Sequence, residues 1–94
     1  MMAEAGEQRR VVFDGDVQGV GFRYTACRLS EGYDVTGYVR NLPDGRVECL
    51  VEGAGDQIDR FLADLSARMA PYIRRTTQQS APASGGYPSF TVKF

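Results

Sequence analysis

The sequence predicts an α+β sandwich, a mostly antiparallel sheet with two helices on one face. Three observations predict it. Apolar residues alternate with period two, or run together briefly, in several short stretches. Between them lie two stretches in which apolar residues recur at every third or fourth position. Glycine- or proline-bearing segments separate the two kinds.

The elements follow in order. Residues 1–8 read as a disordered lead-in. Arg9 to Asp14 holds Val11, Val12 and Phe13, a short apolar run suited to a strand. Gly15-Asp16-Val17-Gln18-Gly19-Val20-Gly21 is a glycine-punctuated loop. Phe22, Ala26, Leu29 and Tyr33 then make a helical stripe, with Gly32 at its end. Val35 to Arg40 and Val47 to Glu52 both alternate, and Leu42-Pro43-Asp44-Gly45 between them is a tight turn joining a hairpin. Asp56 opens a longer helix as an N-cap or first-turn acid. Ile58, Phe61, Leu62, Leu65 and Met69 form its apolar face, and Ala70-Pro71 ends it. Tyr72 to Gln79, rich in Thr and Gln, reads as an edge strand. Ala81 to Pro88 is a loop, and Phe90, Val92 and Phe94 alternate in a final strand. The order β-α-β-β-α-β, with one further short strand, is that of the ferredoxin-like sandwich. The reading is of one domain over 9–94.

Composition narrows the chemistry. The 94 residues carry 11 basic and 12 acidic side chains, a net charge of −1, which implies no polyelectrolyte partner. Residues 71–94 hold Arg74, Arg75 and Lys93 and no acid, which reads as a solvated edge pairing with the acidic remainder. Histidine is absent, excluding a His base and most catalytic zinc sites. Cys27 and Cys49 are the only cysteines, too few for a disulfide scaffold, and read as packing residues. No apolar run approaches the length of a membrane span, and residues 1–8 lack the features of a secretory signal. The expected location is the cytoplasm, and the expected state a monomer.

The loop at 15–21 joins a strand to a helix. In such a loop backbone N–H groups can converge on one anion, assisted by the positive end of the helix. Arg23 falls in the first helical turn, where a cation is disfavoured unless an anion is bound. Its planar fork suits phosphate. Asp14 and Asp16 add carboxylates to the approach, and their effect depends on where they point. Glu48 and Glu52 fall on the polar side of their strand and read as solvated. Tyr38 and Phe22 read as structural. Asn41 reads locally as a turn residue.

Two segments resemble signatures of the acylphosphatase family. Gly15-Asp16-Val17-Gln18-Gly19-Val20-Gly21-Phe22-Arg23 is similar to G-x-V-Q-G-V-x-F-R. Gly37-Tyr38-Val39-Arg40-Asn41-Leu42-Pro43-Asp44-Gly45-Arg46-Val47, closing at Gly53, is similar to G-[FYW]-V-[KR]-N-x-x-x-G-x-V-x5-G. The resemblance implies hydrolysis of the carboxyl–phosphate bond of small acyl phosphates, with inorganic phosphate as a product. It implies that Arg23 binds phosphoryl oxygens and that Asn41 holds the attacking water. Gln18, Gly19, Val20, Gly21, Phe22 and Arg23 would form the phosphate-binding loop. No metal or cofactor is expected, nor nucleic acid or membrane as partner. Two alternatives stay open at this point. One is a catalytically idle anion-binding module, such as occurs inside hydrogenase-maturation carbamoyltransferases. The other is an RNA-binding module of the same sandwich, for which the central strands offer only Phe13 and Tyr38 as stacking aromatics.

Overall fold

The structure is a computed structural model that describes residues 6–94. Its elements are β1 (Glu7–Gly15), α1 (Phe22–Ser30), β2 (Val35–Asn41), β3 (Val47–Gly53), α2 (Gly55–Met69), β4 (Ile73–Pro82) and β5 (Phe90–Val92). A 3₁₀ turn over Ala70–Tyr72, with Pro71 in it, links α2 to β4. The strands form one sheet in the order β4-β1-β3-β2-β5. β3 is antiparallel to both β1 and β2, so β1 and β2 run in the same direction with β3 between them. β4 is antiparallel to β1, and β5 is parallel to β2. This is the ferredoxin-like arrangement that the order of periods predicts, carrying one parallel edge pair.

The core lies between the sheet and the two helices. Val11, Phe13, Val39, Val47, Cys49 and Val51 face Phe22, Ala26 and the whole predicted stripe of α2, Ile58, Phe61, Leu62, Leu65 and Met69. Leu29 and Tyr33 pack at its margin. Because apolar burial drives this packing and scales with area, the periodic stripes were reliable guides to it.

Three boundaries differ from expectation. The lead-in ends sooner: residues 1–5 lie outside the described residues, but Glu7 and Gln8 belong to β1, pairing with Gly53 and Glu52 on β3. Their polar side chains hide what the neighbouring strands enforce. For the same reason β4 runs to Pro82, because β1 pairs with it along its whole length. The first residue past β4, Ala83, donates its N–H to the Gly6 carbonyl at 3.2 Å. β5 stops at Val92, short of the expected Phe94. In α2 Asp56 takes one of its two expected places, as a first-turn acid, and the N-cap is Ala54.

Glu48 and Glu52 are not solvated. Their residues are 2% and 3% exposed. β3 is the central strand, so both of its faces are covered. Arg10 on β1 and Arg40 on β2 close over Glu48 from either side and donate charged hydrogen bonds to its carboxylate. The segment from Ala83 to Ser89 crosses the face opposite the helices to reach β5. Ser84 donates to Glu52 from its N–H (2.9 Å) and its Oγ (2.8 Å), Gly85 N–H at 3.0 Å, and Gln8 Nε2 at 2.7 Å.

Burial alone would raise the Glu48 pKa. Hydrogen bonds from Arg40, Arg10 and Tyr38 outweigh it and hold the carboxyl below its ordinary value of 4.5. Burial also opposes ionisation of Glu52, and the Ser84, Gln8 and Gly85 donors reverse it to the same direction. A depressed carboxyl pKa stabilises the fold above the unfolded-state value, and that stabilisation disappears as pH falls through the folded-state value. Urea midpoints should therefore be flat near neutral pH and fall below about pH 4.5. Glu48→Ala should cost about 3 kcal/mol at neutral pH, the low end for breaking a buried pair because both guanidiniums remain partly hydrated. Its acid slope should also be shallower than the parent's. An unchanged midpoint and slope would show that the pair contributes nothing net.

Candidate active site

β1 and β2 run parallel, so both deliver their last residues to the same end of the sheet. The register makes this specific: Val47 opens β3 between Phe13 of β1 on one side and Asn41 of β2 on the other. The chain leaves β1 through the 15–21 loop into α1, and leaves β2 through the Leu42–Gly45 turn.

The loop is anchored by what it buries. Val17 is fully buried, and Phe22 is buried with its ring 4.9 Å from that of Phe13. This gives Phe22 the structural role expected of it. Between these anchors Gly19 and Gly21 take left-handed backbone, φ +78° and +79°. A Cβ at either would meet nothing within 4 Å, so glycine is required there for conformation and not for room. Left-handed residues in short succession are the backbone from which anion-holding concavities are made. Gly21 is also the N-cap of α1. No side chain caps that end and no acid stands in its first turn, which leaves the first helical N–H groups and the positive end of the dipole for a ligand.

Gln18 ties loop to turn. Its Nε2 donates to the Leu42 carbonyl at 2.8 Å and the Arg46 carbonyl at 3.0 Å, the two ends of the β2–β3 turn. The resemblance gives Gln18 only a place in the phosphate-binding loop. Its side chain is the connection that sequence reading missed, and no local signal in the chain announces it.

Arg23 is the second residue of α1 and half-buried. Among the described residues it makes no hydrogen bond or ion pair. Its guanidinium carbon stands 5.3 Å from the centre of the Phe94 ring. Asn41 is half-buried and shares strand parity with Val35 and Val39, the residues of β2 that face the helices. Its side chain carries no hydrogen bond among the described residues. The two acids near the loop are directed elsewhere. Asp14 has the opposite parity to Phe13 and lines a small cleft with Arg46 and Arg75 on the face away from the helices. Asp16 is exposed, with a carboxylate oxygen 3.8 Å from Arg74. Of the three cations of the 71–94 segment, Arg74 thus pairs with an acid, as its charge imbalance predicts, and Arg75 shares a cleft with one.

The thiols are not alternatives for the chemistry. Cys49 is fully buried, and burial pushes its pKa far up. Burial also raises that of Cys27, with Glu31 adding to it. Neither is a thiolate at neutral pH. No group of three or more His, Cys, Asp or Glu side chains gathers as a metal site among the described residues, and no helix there is long and apolar enough to cross a membrane.

Comparison with known proteins bears on this geometry. The acylphosphatase family profile matches residues 9–92. An acylphosphatase of Methylococcus capsulatus is 45% identical over 85 residues, 87% of this chain and 90% of the relative. One of Bordetella parapertussis is 50% identical over 56 residues, and the match spans only 60% of each chain. The crystal structure of acylphosphatase from Bacillus subtilis superposes with a TM-score of 0.84 at 28% identity, covering 94% of this chain and 99% of that one.

Proposed function

The chain belongs to the acylphosphatase family, and from that premise we propose how its residues divide the hydrolysis of an acyl phosphate. Arg23 and the N–H groups of the 18–23 loop hold the phosphoryl oxygens. Asn41 holds the water that attacks phosphorus. The products are a carboxylate and inorganic phosphate.

So few residues suffice because of the substrate. A carboxylate is a good leaving group and needs no strong general acid, so the lack of histidine is no obstacle. Phosphoryl transfer passes through a loose transition state, and catalysis is mainly positioning and charge stabilisation. Arg23 supplies a fixed charge and a planar fork, and the loop supplies fixed dipoles. Asn cannot take a proton at neutral pH. It orients the water, whose proton passes to an oxygen of the phosphoryl group being transferred.

One observation carries this reading. The Gln18 side chain bonds to both ends of the turn that follows Asn41, which supports a single site shared by the Arg23 loop and Asn41. The two cysteines are free. With them the reading extends to a reducing, cytoplasmic setting and a small-molecule substrate, without nucleic acid. Hydrolysis of benzoyl phosphate, followed by ultraviolet absorbance with EDTA present, tests it. Turnover that survives EDTA is the expected result. No turnover by a folded protein would leave only an anion-binding role.

A further inference from the structure

We infer that the cleft between β2, β5 and the segment joining β4 to β5 is a second binding site, for a small single-ring aromatic carboxylate. The ring lies against Tyr38 and Tyr87, and the carboxylate meets Lys93. The cleft opens on the face of the sheet away from the helices, and none of the residues assigned to hydrolysis lines it.

Backbone pairing sets its walls. Gly37 donates its N–H to the Ser89 carbonyl at 3.0 Å, which fixes the Tyr87–Ser89 segment on β2. β5 then pairs in parallel with β2, Tyr38 lying opposite Thr91, and the N–H of Lys93 donates to the Val39 carbonyl at 2.9 Å. Strand alternation turns Tyr38, Thr91 and Lys93 away from the core against which Val39 and Val92 pack. Tyr87 reaches across from the connecting segment, its ring 5.8 Å from that of Tyr38 and inclined to it by 56°. The two tilted rings and Pro88 border an open cleft of about 240 Å³. A cavity of about 150 Å³ accommodates one benzene ring, whereas pockets for drug-sized ligands begin at roughly 300 Å³. The space therefore suits one ring with a small substituent.

Charge makes that substituent an anion. The Lys93 ammonium stands 4.6 Å from the centre of the Tyr38 ring and makes no ion pair among the described residues. The acid behind Tyr38 is already committed: Glu48 is buried and accepts from Arg10 and Arg40. Glu48 also takes the Tyr38 hydroxyl, so Tyr38 offers the cleft its ring. A bound ring packs edge to face or offset on the tyrosines. Its carboxylate meets an ammonium that no protein acid neutralises. An uncharged ring lacks the second contact, and an aliphatic acid lacks the first.

The test is a titration of the isotope-labelled protein with benzoate, read by amide chemical shifts, and repeated with benzamide and with cyclohexanecarboxylate. Benzoate should move the amides of Tyr38, Ser89, Thr91 and Lys93 along one saturating curve. Both controls should bind about tenfold more weakly, the scale of a charged hydrogen bond and of aromatic contact. Lys93→Gln should bring benzoate down to the affinity of benzamide and leave benzamide where it was. Tyr87→Leu should weaken both aromatic ligands together. Amide shifts outside the cleft should match the parent in both variants, showing the fold intact. Benzoate shifts confined to the 18–23 loop, or absent from those four amides, would overturn the inference. So would equal affinities for benzoate and either control, or an unchanged benzoate affinity in Lys93→Gln.

Discussion

Arg23→Ala should lower kcat/KM for benzoyl phosphate by at least about 10²–10³, the cost of losing one preorganised oxyanion donor, and should abolish inhibition by inorganic phosphate. Both readouts should move because, in the proposed assignment, the guanidinium meets the phosphoryl group in the bound substrate and in the product as well as in the transition state. Stability should move little in the other direction from activity. Arg23 makes no hydrogen bond or ion pair among the described residues, and it stands at the positive end of α1 with no acid in the first turn. Removing a cation there should leave the urea midpoint equal or slightly higher. Arg23→Lys keeps the charge and loses the fork, so it should recover part of the phosphate inhibition and less of the rate. If Arg23→Ala retained parental phosphate inhibition, the anion would be held by the loop alone and Arg23 would have no place in binding.

Asn41→Ala should separate binding from turnover. We expect kcat to fall about 10²–10³, the scale of a lost preorganised polar group, while inorganic phosphate still inhibits at close to the parental concentration. The position predicts this split. Asn41 ends β2, whereas the loop amides and Arg23 reach the site from β1 and α1. Asn41→Asp is the sharper variant. It can still accept a hydrogen bond from water, but it sets a negative charge near a phosphoryl group, so phosphate inhibition should weaken as kcat falls. Loss of phosphate inhibition in Asn41→Ala with kcat intact would reverse the assignment, making Asn41 a phosphoryl ligand.

Much of this was legible along the chain, and the reasons are local. The α2 stripe from Ile58 to Met69 is wholly buried because a period of 3.6 puts those five side chains on one face, whatever that face meets. Gly19 and Gly21 punctuate the loop because its backbone must turn through φ values that other residues resist. Arg23 stood out because a cation in a first helical turn is out of place without an anion. Glu48 and Glu52 show the opposite case. Alternation correctly put them on the face away from the helices, but not what covers that face. Arg10 and Arg40 come from the neighbouring strands β1 and β2, and Ser84 from a segment that follows β4.

From its sequence alone this protein has its order of elements, its helical stripes, the left-handed loop and the residue types that suit a phosphoryl group. These depend on neighbours within a few positions, where propensity and periodicity act. Only the tertiary structure decided that β3 lies between β1 and β2, and therefore that the loop after one and the turn after the other meet at one end of the sheet, joined by Gln18. It also decided that Phe94 arrives beside Arg23. Strand order and register are set by packing the whole sheet against both helices at once, and no single stretch of chain carries that information.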